Sequence, residues 1–283
     1  MEQITTTEDL RAWRSELRAS GKTVAVVPTM GNLHSGHLSL LEKAQSVADH
    51  VICSIFVNPA QFGPEEDIAN YPRTLAKDLQ ALRELSIDTV FTPSVAAMYP
   101  EGDQTRITVP DISAHHCGKS RPRHFSGVAT VVCKFLNLVQ ADYAIFGEKD
   151  FQQLAVIRRM VTDLFIPTEV LGAPTRRADD GLALSSRNGY LTTSERALSP
   201  MLYQQLRAVK AALEVSSQQD WRTLETEAQQ VLATSGWQPD YFNIVRQNDL
   251  ETAHPGDEVL VILAAARLGK ARLIDNVQVH LNR

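Results

Sequence analysis

The chain has 283 residues, of which 43% are hydrophobic and 22% are charged, and its formal net charge is −5 at pH 7. These values are typical of a globular protein with one large or two modest domains. The negative charge argues against a general nucleic-acid or anionic-membrane surface, but it is compatible with a local basic pocket for phosphates.

Cysteine usage and the N-terminus indicate the compartment. Cys53, Cys117 and Cys133 form no CxxC pair, and an odd number of cysteines is a poor disulfide framework. The N-terminus lacks the apolar segment of a signal peptide, and no apolar run reaches the roughly 18 residues of a membrane helix. We therefore expect a cytoplasmic protein with reduced cysteines and no membrane contact.

The first part of the chain alternates short apolar runs with helical patterns. A first helix begins at Thr6 or Thr7 and stops at Gly21. Strands are predicted at 24–27, 51–57, 88–92, 106–109, 142–146 and 168–171. Helices are predicted at 36–47, 72–86, 126–139 and from about 150 to 164, with an irregular basic stretch at 111–125. This alternation indicates an α/β fold with a Rossmann-like, doubly wound parallel sheet.

The pattern changes near residue 175. A polar loop at 175–190 precedes two amphipathic helices near 194–215 and 219–235, and strands follow near 240–246 and 258–265. We therefore predict a Rossmann-like domain of residues 1–176 and a smaller C-terminal α+β lid domain of residues 177–283.

Two histidines lie where strand 24–27 passes through a glycine-bearing loop into a helix. His34 and His37 are three residues apart and share a helix face. The unpaired N–H groups of such a helix start attract phosphate, and the imidazoles can stabilise charge that develops on it. Two alternatives are a pair of surface histidines and part of a zinc site. No cysteine or carboxylate lies at the usual zinc spacing, so we expect no protein-bound metal.

Polar turns after two further strands add candidate ligands. Lys149 at a strand end is suited to phosphate. Asp150 either caps the next helix together with Gln153 or binds a ligand, and both interpretations stay open. Asn58 satisfies its own turn or contacts substrate, while Gln61 can offer amide donors to a small carboxylate or hydroxy acid.

Two loops complete the candidate site. The loop sequence LSSRN offers the Ser185 and Ser186 hydroxyls and the fixed Arg187 cation, which suit a mobile loop closing over a triphosphate. The basic stretch 120–125 is either a solvated loop or a flap over anions.

These motifs carry a family resemblance. The HxGH motif with a later serine and basic loop resembles the HIGH/KMSKS nucleotidyltransferase superfamily. A longer set, in order along nearly the whole chain, is similar to the pantothenate synthetase (pantoate–β-alanine ligase) family. Its segments are PTMGNLHSGH, SIFVNPAQF, YPRTLAKD, FTPS…MYP, SRPRHFSGV, FGEKDFQQL, DGLALSSRNGYL and ARLIDN.

The resemblance implies an ATP-dependent condensation of pantoate with β-alanine. Pantoyl adenylate would be the intermediate, AMP and pyrophosphate would be released, and the product pantothenate is a coenzyme A precursor. The family also implies Mg²⁺ entering with ATP, no prosthetic group, a homodimer, and only small-molecule substrates as further partners.

The resemblance also assigns residues. His34, His37, Lys149 and Arg187 would be catalytic, with His37 at the position of the family's proton donor. We favour electrostatic stabilisation as the role of His37, since a carboxylate nucleophile has no proton to lose. Pantoate and β-alanine would contact Asn58, Gln61 and Gln153. The ATP contacts would be Met30, Gly31, His34, His37, Gly147, Lys149, Asp150, Arg176, Leu184, Ser185, Ser186 and Arg187.

Three residues depart from the family pattern. Arg176 stands where an aliphatic residue is usual, Cys117 where Glu is common, and Arg123 where Gly is common. Two other functions stay open: a plain nucleotidyltransferase that leaves the nucleotide in its product, and a non-catalytic nucleotide-binding regulatory module. An aminoacyl-tRNA synthetase is disfavoured, because the chain is net acidic and has no obvious tRNA-binding extension.

Overall fold

The computed structural model describes residues 1–63, 68–69, 71–215 and 220–281. Two compact units are distinguished by their internal contacts. The first consists of Met1–Glu148 with Gln153–Pro174, and the second of Lys149–Gln152 with Thr175–Arg283. Within the described ranges, no helix is both long and apolar enough to cross a membrane.

The first unit contains a parallel sheet of six strands in the order β1-β4-β3-β2-β5-β6. The strands are β1 (Glu2–Ile4), β2 (Val24–Thr29), β3 (His50–Ile55), β4 (Thr89–Phe91), β5 (Tyr143–Gly147) and β6 (Glu169–Ala173). Ala25 and Val26 of β2 pair with Tyr143 and Ala144 of β5. The chain winds outward in opposite directions from this pair, so β2 and β5 form the topological switch point at which such sheets bind ligands.

Helices cover both faces of this sheet. The helices are α1 (Thr7–Ala19), α2 (Ser35–Gln45), α3 (Leu75–Glu84), α4 (Val95–Met98), α5 (Pro110–Ala114), α6 (Cys117–Ser120), α7 (His124–Val139) and α8 (Phe151–Asp163). On one face, Leu41 of α2 and Leu82 of α3 pack with Val27 and other strand residues. On the other, Phe135 of α7 meets Phe91 edge to face, with ring centroids 6.2 Å apart. The predicted Rossmann-like fold is confirmed.

Two local predictions in this unit are wrong, and one strand was missed. No strand forms at 106–109, because helix side chains satisfy the backbone there: Thr130 accepts from Ile107 N–H at 3.0 Å, and Ser126 donates to Ile107 C=O at 2.9 Å. The stretch 111–125 is not irregular throughout, since it contains most of α5 and all of α6. β1 was not expected; it pairs with β4 at the sheet edge.

The second unit is an antiparallel sheet of β7 (Gln238–Arg246), β8 (Val259–Leu268) and β9 (Ala271–His280). Its helices are α9 (Thr193–Leu198), α10 (Met201–Val215) and α11 (Trp221–Thr234). Leu206, Leu232 and Ile262 lie in its buried core, which joins α10 and α11 to the sheet. The prediction of a smaller C-terminal part with α+β structure is confirmed.

Two details of the second unit differ from the sequence predictions. The single helix expected at 194–215 is two helices, because Pro200 between them has no N–H to donate to a helical hydrogen bond. β9 was missed, although it pairs with β8 along its full length. Residue 219, the predicted start of the following helix, lies outside the described residues, and α11 is described from Trp221.

Candidate active site

The start of α2 is capped by its own two histidines. His34 is the N-cap residue, and its Nδ1 accepts from Gly36 N–H at 3.1 Å. His37 reaches back, and its Nδ1 accepts from His34 N–H at 3.4 Å. The ring centroids lie 4.1 Å apart. The expectation that this helix start offers unpaired N–H groups is therefore wrong for His34 and Gly36.

This capping box fixes which nitrogen of each ring can donate. An Nδ1 that accepts a backbone N–H carries no proton, so in a neutral imidazole the proton lies on Nε2. His34 and His37 are each partly exposed. An anion at this helix start would therefore be met by imidazole N–H donors rather than by the two backbone N–H groups that the rings occupy.

The loop between β2 and α2 is held by a buried carboxylate. Asp78 of α3 is 3% exposed, and it accepts from Asn32 N–H at 3.0 Å and from Leu33 N–H at 2.8 Å. Gly31 N–H donates to Thr29 Oγ1 at 3.2 Å. Gly31 and Asn32 both have positive φ, 79° and 52°, and a Cβ on Gly31 would lie 3.0 Å from Asp78 Oδ2.

Asp78 was missed in the sequence, although a signal was present. It falls among Leu75, Leu79 and Leu82 in the apolar stripe of the predicted helix, where a carboxylate needs buried donors. Those donors are the backbone N–H groups of the loop, so Asp78 couples α3 to the segment that leads into His34.

Asn58 and Gln61 form one amide network after β3. Asn58 is 1% exposed, and its Nδ2 donates to Gln61 Oε1 at 3.1 Å and to Gly127 C=O at 3.1 Å. Its Oδ1 accepts from Tyr99 Oη at 2.7 Å and from Ala60 N–H at 3.2 Å. The bond from Asn58 to Gln61 Oε1 fixes the orientation of the Gln61 amide, whose Nε2 is a donor that can face a ligand.

The basic stretch packs onto the same turn. Gln61 C=O lies 3.0 Å from His124 Nδ1 and accepts from Arg121 Nη2 at 3.4 Å. Burial raises the pKa of the nearby Tyr99 phenol to about 12, so it is a neutral donor to Asn58 at physiological pH.

The second unit brings together several other candidate residues. Lys149 and Ser185 line one small pocket with Tyr203 and Asp275. Ser185 Oγ accepts from Arg187 N–H at 3.2 Å and caps the 3₁₀-helix Ser186–Tyr190. This short helix lies within the stretch that was predicted as a loop.

Three further predicted ATP contacts of this unit lie in a turn and in a short helix. Leu184 N–H donates to Arg176 C=O at 2.9 Å, and the Arg176 side chain is exposed. Asp150, partly buried, ends a 3₁₀-helix over Glu148–Asp150.

Three candidates lie in the first unit at the carboxyl ends of strands or just beyond. Met30 follows β2 directly, and Gly147 ends β5. A Cβ on Gly147 would lie 3.8 Å from Leu40 of α2, so the end of β5 faces the histidine-capped helix. Gln153, partly exposed, is in the first turn of α8. The ligand contacts predicted for all these residues stay predictions.

Among the residues that the structure describes, no three or more His, Cys, Asp or Glu side chains are grouped so as to hold a metal ion. His115 and His116 have ring centroids 6.2 Å apart.

The fold and the histidine-capped helix at the switch point place the protein among the Rossmann-like α/β proteins. The family model for pantoate–β-alanine ligase matches residues 2–278. A pantothenate synthetase from Pseudomonas aeruginosa is 53% identical, with 100% of each chain covered. One from Marinobacter nauticus is 51% identical, with 99% of each covered. The chain belongs to the pantoate–β-alanine ligase family.

Solved structures agree with this assignment. Pantothenate synthetase from Thermus thermophilus has a TM-score of 0.91 at 43% identity, covering 99% of this chain and 100% of that chain. Pantoate–β-alanine ligase from Francisella tularensis, in complex with beta-gamma ATP and β-alanine, has a TM-score of 0.81 at 36% identity, covering 98% and 97%.

Proposed function

We propose that this protein condenses pantoate with β-alanine at the expense of ATP, forming pantothenate for coenzyme A biosynthesis. The observation that carries the proposal is the family match over residues 2–278. The Francisella tularensis relative, crystallised with an ATP compound and β-alanine, supports two of the three substrates.

The reaction proceeds in two displacements. A pantoate carboxylate oxygen attacks the α-phosphorus of ATP, the bond to the β,γ-diphosphate breaks, and pantoyl adenylate and pyrophosphate form. The β-alanine amine then attacks the acyl carbon and loses a proton, and AMP leaves with the carboxylate oxygen. Activation is needed because oxide is a poor leaving group, whereas AMP is a good one. The mixed anhydride is prone to hydrolysis, so the site must exclude water.

His34 and His37 stabilise the charge that moves onto the phosphate oxygens. Their Nδ1 atoms are held by backbone N–H groups, so their Nε2–H groups are the ring donors in the neutral state. Donors fixed before the reaction cost no reorganisation when charge develops. His37 acts as an electrostatic stabiliser, since the attacking carboxylate carries no proton to remove.

Gln61 binds pantoate through its Nε2 donor. Asn58 orients it, because Asn58 Nδ2 occupies Gln61 Oε1 and the other polar atoms of Asn58 have partners within the fold. This assigns Asn58 mainly to positioning. Gln153 supplies the second amide for pantoate.

The second set of groups binds ATP. Lys149 and Arg187 hold phosphates, Asp150 holds the ribose, and the Ser185 and Ser186 hydroxyls close on the triphosphate. The main contacts of ATP also include Met30, Gly31, Gly147, Arg176 and Leu184. Mg²⁺ enters with ATP and is held largely by phosphate oxygens. Residues 1–176 act as the nucleotide- and pantoate-binding part and 177–283 as a lid, in a cytoplasmic homodimer.

An AMP-release assay with each acid omitted in turn tests the function. We expect AMP only when pantoate, β-alanine and ATP are all present, and an amide product with the mass of pantothenate. AMP release independent of either acid would contradict the proposal. A nucleotide retained in the product would favour a plain nucleotidyltransferase, and ATP binding without turnover would favour a regulatory module.

A further inference from the structure

A buried ion pair holds a hairpin that carries two predicted ATP contacts, Arg176 and Leu184. Residues 176–184, called here the 176–184 hairpin, form a tight turn: Leu184 N–H donates to Arg176 C=O at 2.9 Å, and Ala178 N–H donates to Leu182 C=O at 2.9 Å. Gly181 at its tip has a φ of +96°. Ser185 follows the hairpin directly and begins the 3₁₀-helix that contains Arg187.

Arg177 ties this hairpin to β9. Its Nη1 donates to Asp275 Oδ2 at 2.6 Å, and its Nη2 donates to Asp275 Oδ1 at 2.9 Å. Nη1 also donates to Gly181 C=O at 3.1 Å, and Nη2 to Asn276 C=O at 3.4 Å. A bidentate pair of this kind fixes the orientation of both groups as well as their distance.

An aromatic ring completes the arrangement. The Arg177 guanidinium carbon lies 3.5 Å from the centroid of Tyr203, a ring of α10. A Cβ on Gly181 would lie 2.7 Å from Tyr203 Cδ1, so the tip of the hairpin packs directly on the same ring. The Arg177 guanidinium therefore contacts both the Asp275 carboxylate and the face of the Tyr203 ring. These contacts restrict the movement of the hairpin relative to β9 and α10.

The same β9 residues reach Lys149. Asn276 Nδ2 donates to Lys149 C=O at 3.0 Å, and Asn276 N–H donates to Asp275 Oδ1 at 2.8 Å. Asp275 is 4% exposed and lines a small pocket with Lys149 and Ser185. Burial raises the pKa of the Asp275 carboxyl, and the charges of Arg177 and Lys149 oppose that shift.

We propose that Asp275 is a positioning residue that, through Arg177 and Asn276, holds the 176–184 hairpin and the Lys149 backbone in the geometry that binds ATP. The inference rests on the proposed function, which supplies both the nucleotide and the predicted ATP contacts of these two segments. Asp275 accepts from the Arg177 guanidinium and from Asn276 N–H, and these two residues bond onward to the hairpin and to Lys149. The hairpin carries the predicted ATP contacts Arg176 and Leu184 and leads into Ser185, and Lys149 is a predicted phosphate ligand, whereas no substrate contact is predicted for Asp275 itself.

The test uses Asp275→Asn and the double variant Arg177→Met/Asp275→Leu in the full chain. Asparagine keeps the size of the side chain but turns a donor toward the guanidinium. The double variant replaces the ion pair by apolar side chains, which restores stability in many proteins when a buried pair is removed as a unit. Asp249→Asn is the matched control, since Asp249 pairs with Arg246 at 2.8 Å in a more exposed ion pair of the same unit.

Two readouts separate positioning from simple stability. The first is the dissociation constant of Mg-ATP by calorimetry, which does not require turnover. The second is the KM for each substrate in the AMP-release assay, with the melting temperature recorded for every variant. We expect both Asp275 variants to raise the dissociation constant and KM for ATP by at least about tenfold, because small misplacements of binding groups are costly. The KM values for pantoate and β-alanine should stay within about twofold.

The double variant decides the interpretation. If its melting temperature recovers and its ATP affinity stays weak, Asp275 positions the ATP ligands. If ATP affinity is unchanged in Asp275→Asn, or recovers together with stability in the double variant, the pair is merely structural and the inference is overturned. Wild-type protein that binds ATP but shows no acid-dependent AMP release would contradict the proposed function, and the calorimetric comparison would still decide the role of Asp275.

Discussion

Replacing Asp78 by Asn tests whether the loop before α2 positions His34 and His37, the two histidines proposed to be catalytic. The carboxylate accepts from Asn32 N–H at 3.0 Å, from Leu33 N–H at 2.8 Å and from Thr74 Oγ1 at 3.1 Å. The two loop bonds use different oxygens. Asparagine has one acceptor oxygen, so its amide nitrogen would oppose one of the two backbone N–H groups.

The cost of this change can be estimated from the bonds lost. A hydrogen bond to a charged group contributes about 1.5–3 kcal/mol, and an unsatisfied buried donor costs about 1–3 kcal/mol. These contributions overlap, so we expect the free energy of unfolding to fall by about 2–4 kcal/mol. For a chain of this size the melting temperature would drop by about 5–15 °C, which leaves the protein folded at 25 °C.

The substitution should affect the formation of pantoyl adenylate more strongly than it affects stability. Gly31 and Asn32 have positive φ and are held by Thr29 and Asp78, so a released loop relaxes and carries His34 with it. A shift of about 1 Å in a catalytic group costs about 100-fold in rate. The assay is pantoate-dependent exchange of labelled pyrophosphate into ATP, measured at 25 °C on protein whose circular dichroism is native.

Thr74→Val is the matched control for Asp78→Asn. It removes the third donor to Asp78 and leaves both loop bonds, so exchange should stay within about twofold of wild type. Exchange by Asp78→Asn at the wild-type rate, despite a lower melting temperature, would refute the reasoning, because the histidines would then hold their geometry without Asp78.

Three further changes probe other parts of the account. His37→Gln keeps an N3 side chain able to accept the His34 N–H but lacks the imidazole donor, so kcat should fall by about 100- to 1,000-fold with the melting temperature nearly unchanged. Gly127→Ala places a Cβ 2.2 Å from Ala60 C=O, so stability should fall by about 1–3 kcal/mol and the pantoate KM should rise. Burial raises the pKa of the Glu225 carboxyl. The protonated carboxyl therefore stabilises the folded chain below the ordinary pKa of Glu, and this stabilisation is lost as the pH rises through the folded-state pKa. Glu225→Gln should therefore gain melting temperature relative to wild type at pH 7 and lose that gain below the ordinary value of 4.5.

Each of these changes has a result that contradicts it. Near-wild-type kcat in His37→Gln would show that His37 does not stabilise the transition state. Gly189→Ala is the control for Gly127→Ala, since nothing lies within 4 Å of a Cβ added at Gly189. If both substitutions lowered the free energy of unfolding equally, the close packing at Gly127 would not be the cause. A pH-independent difference between Glu225→Gln and wild type would show that the Glu225 carboxyl has the same pKa in the folded and unfolded chains.

The core of the fold could be predicted because its signals are local. The run Val24–Val27 is apolar at every position, as a strand covered on both faces requires, and α2 follows with helical periodicity. The false strand at 106–109 has the same kind of local signal. Its backbone partners are Ser126 and Thr130, and nothing in the segment itself reveals that helix side chains would replace a neighbouring strand.

The sequence motifs of the candidate site could be predicted, but the residues that position those motifs could not. His34 and His37 are three residues apart, so their shared face follows from helix geometry alone. Asp78 meets Asn32 across 46 residues of sequence, and Arg177 meets Asp275 across 98. Such pairs depend on how distant elements pack, so only the unusual placement of a carboxylate among apolar residues indicates them beforehand.

Oxygen transfer from pantoate tests the central claim most directly. The proposed reaction joins a pantoate carboxylate oxygen to the α-phosphorus of ATP, and that oxygen leaves with AMP when β-alanine attacks the acyl carbon. With pantoate labelled with ¹⁸O in its carboxylate, mass spectrometry should find one labelled oxygen in each AMP released and the other in the pantothenate amide. Unlabelled AMP would show that the carboxylate never attacks the α-phosphorus and would contradict the adenylate mechanism.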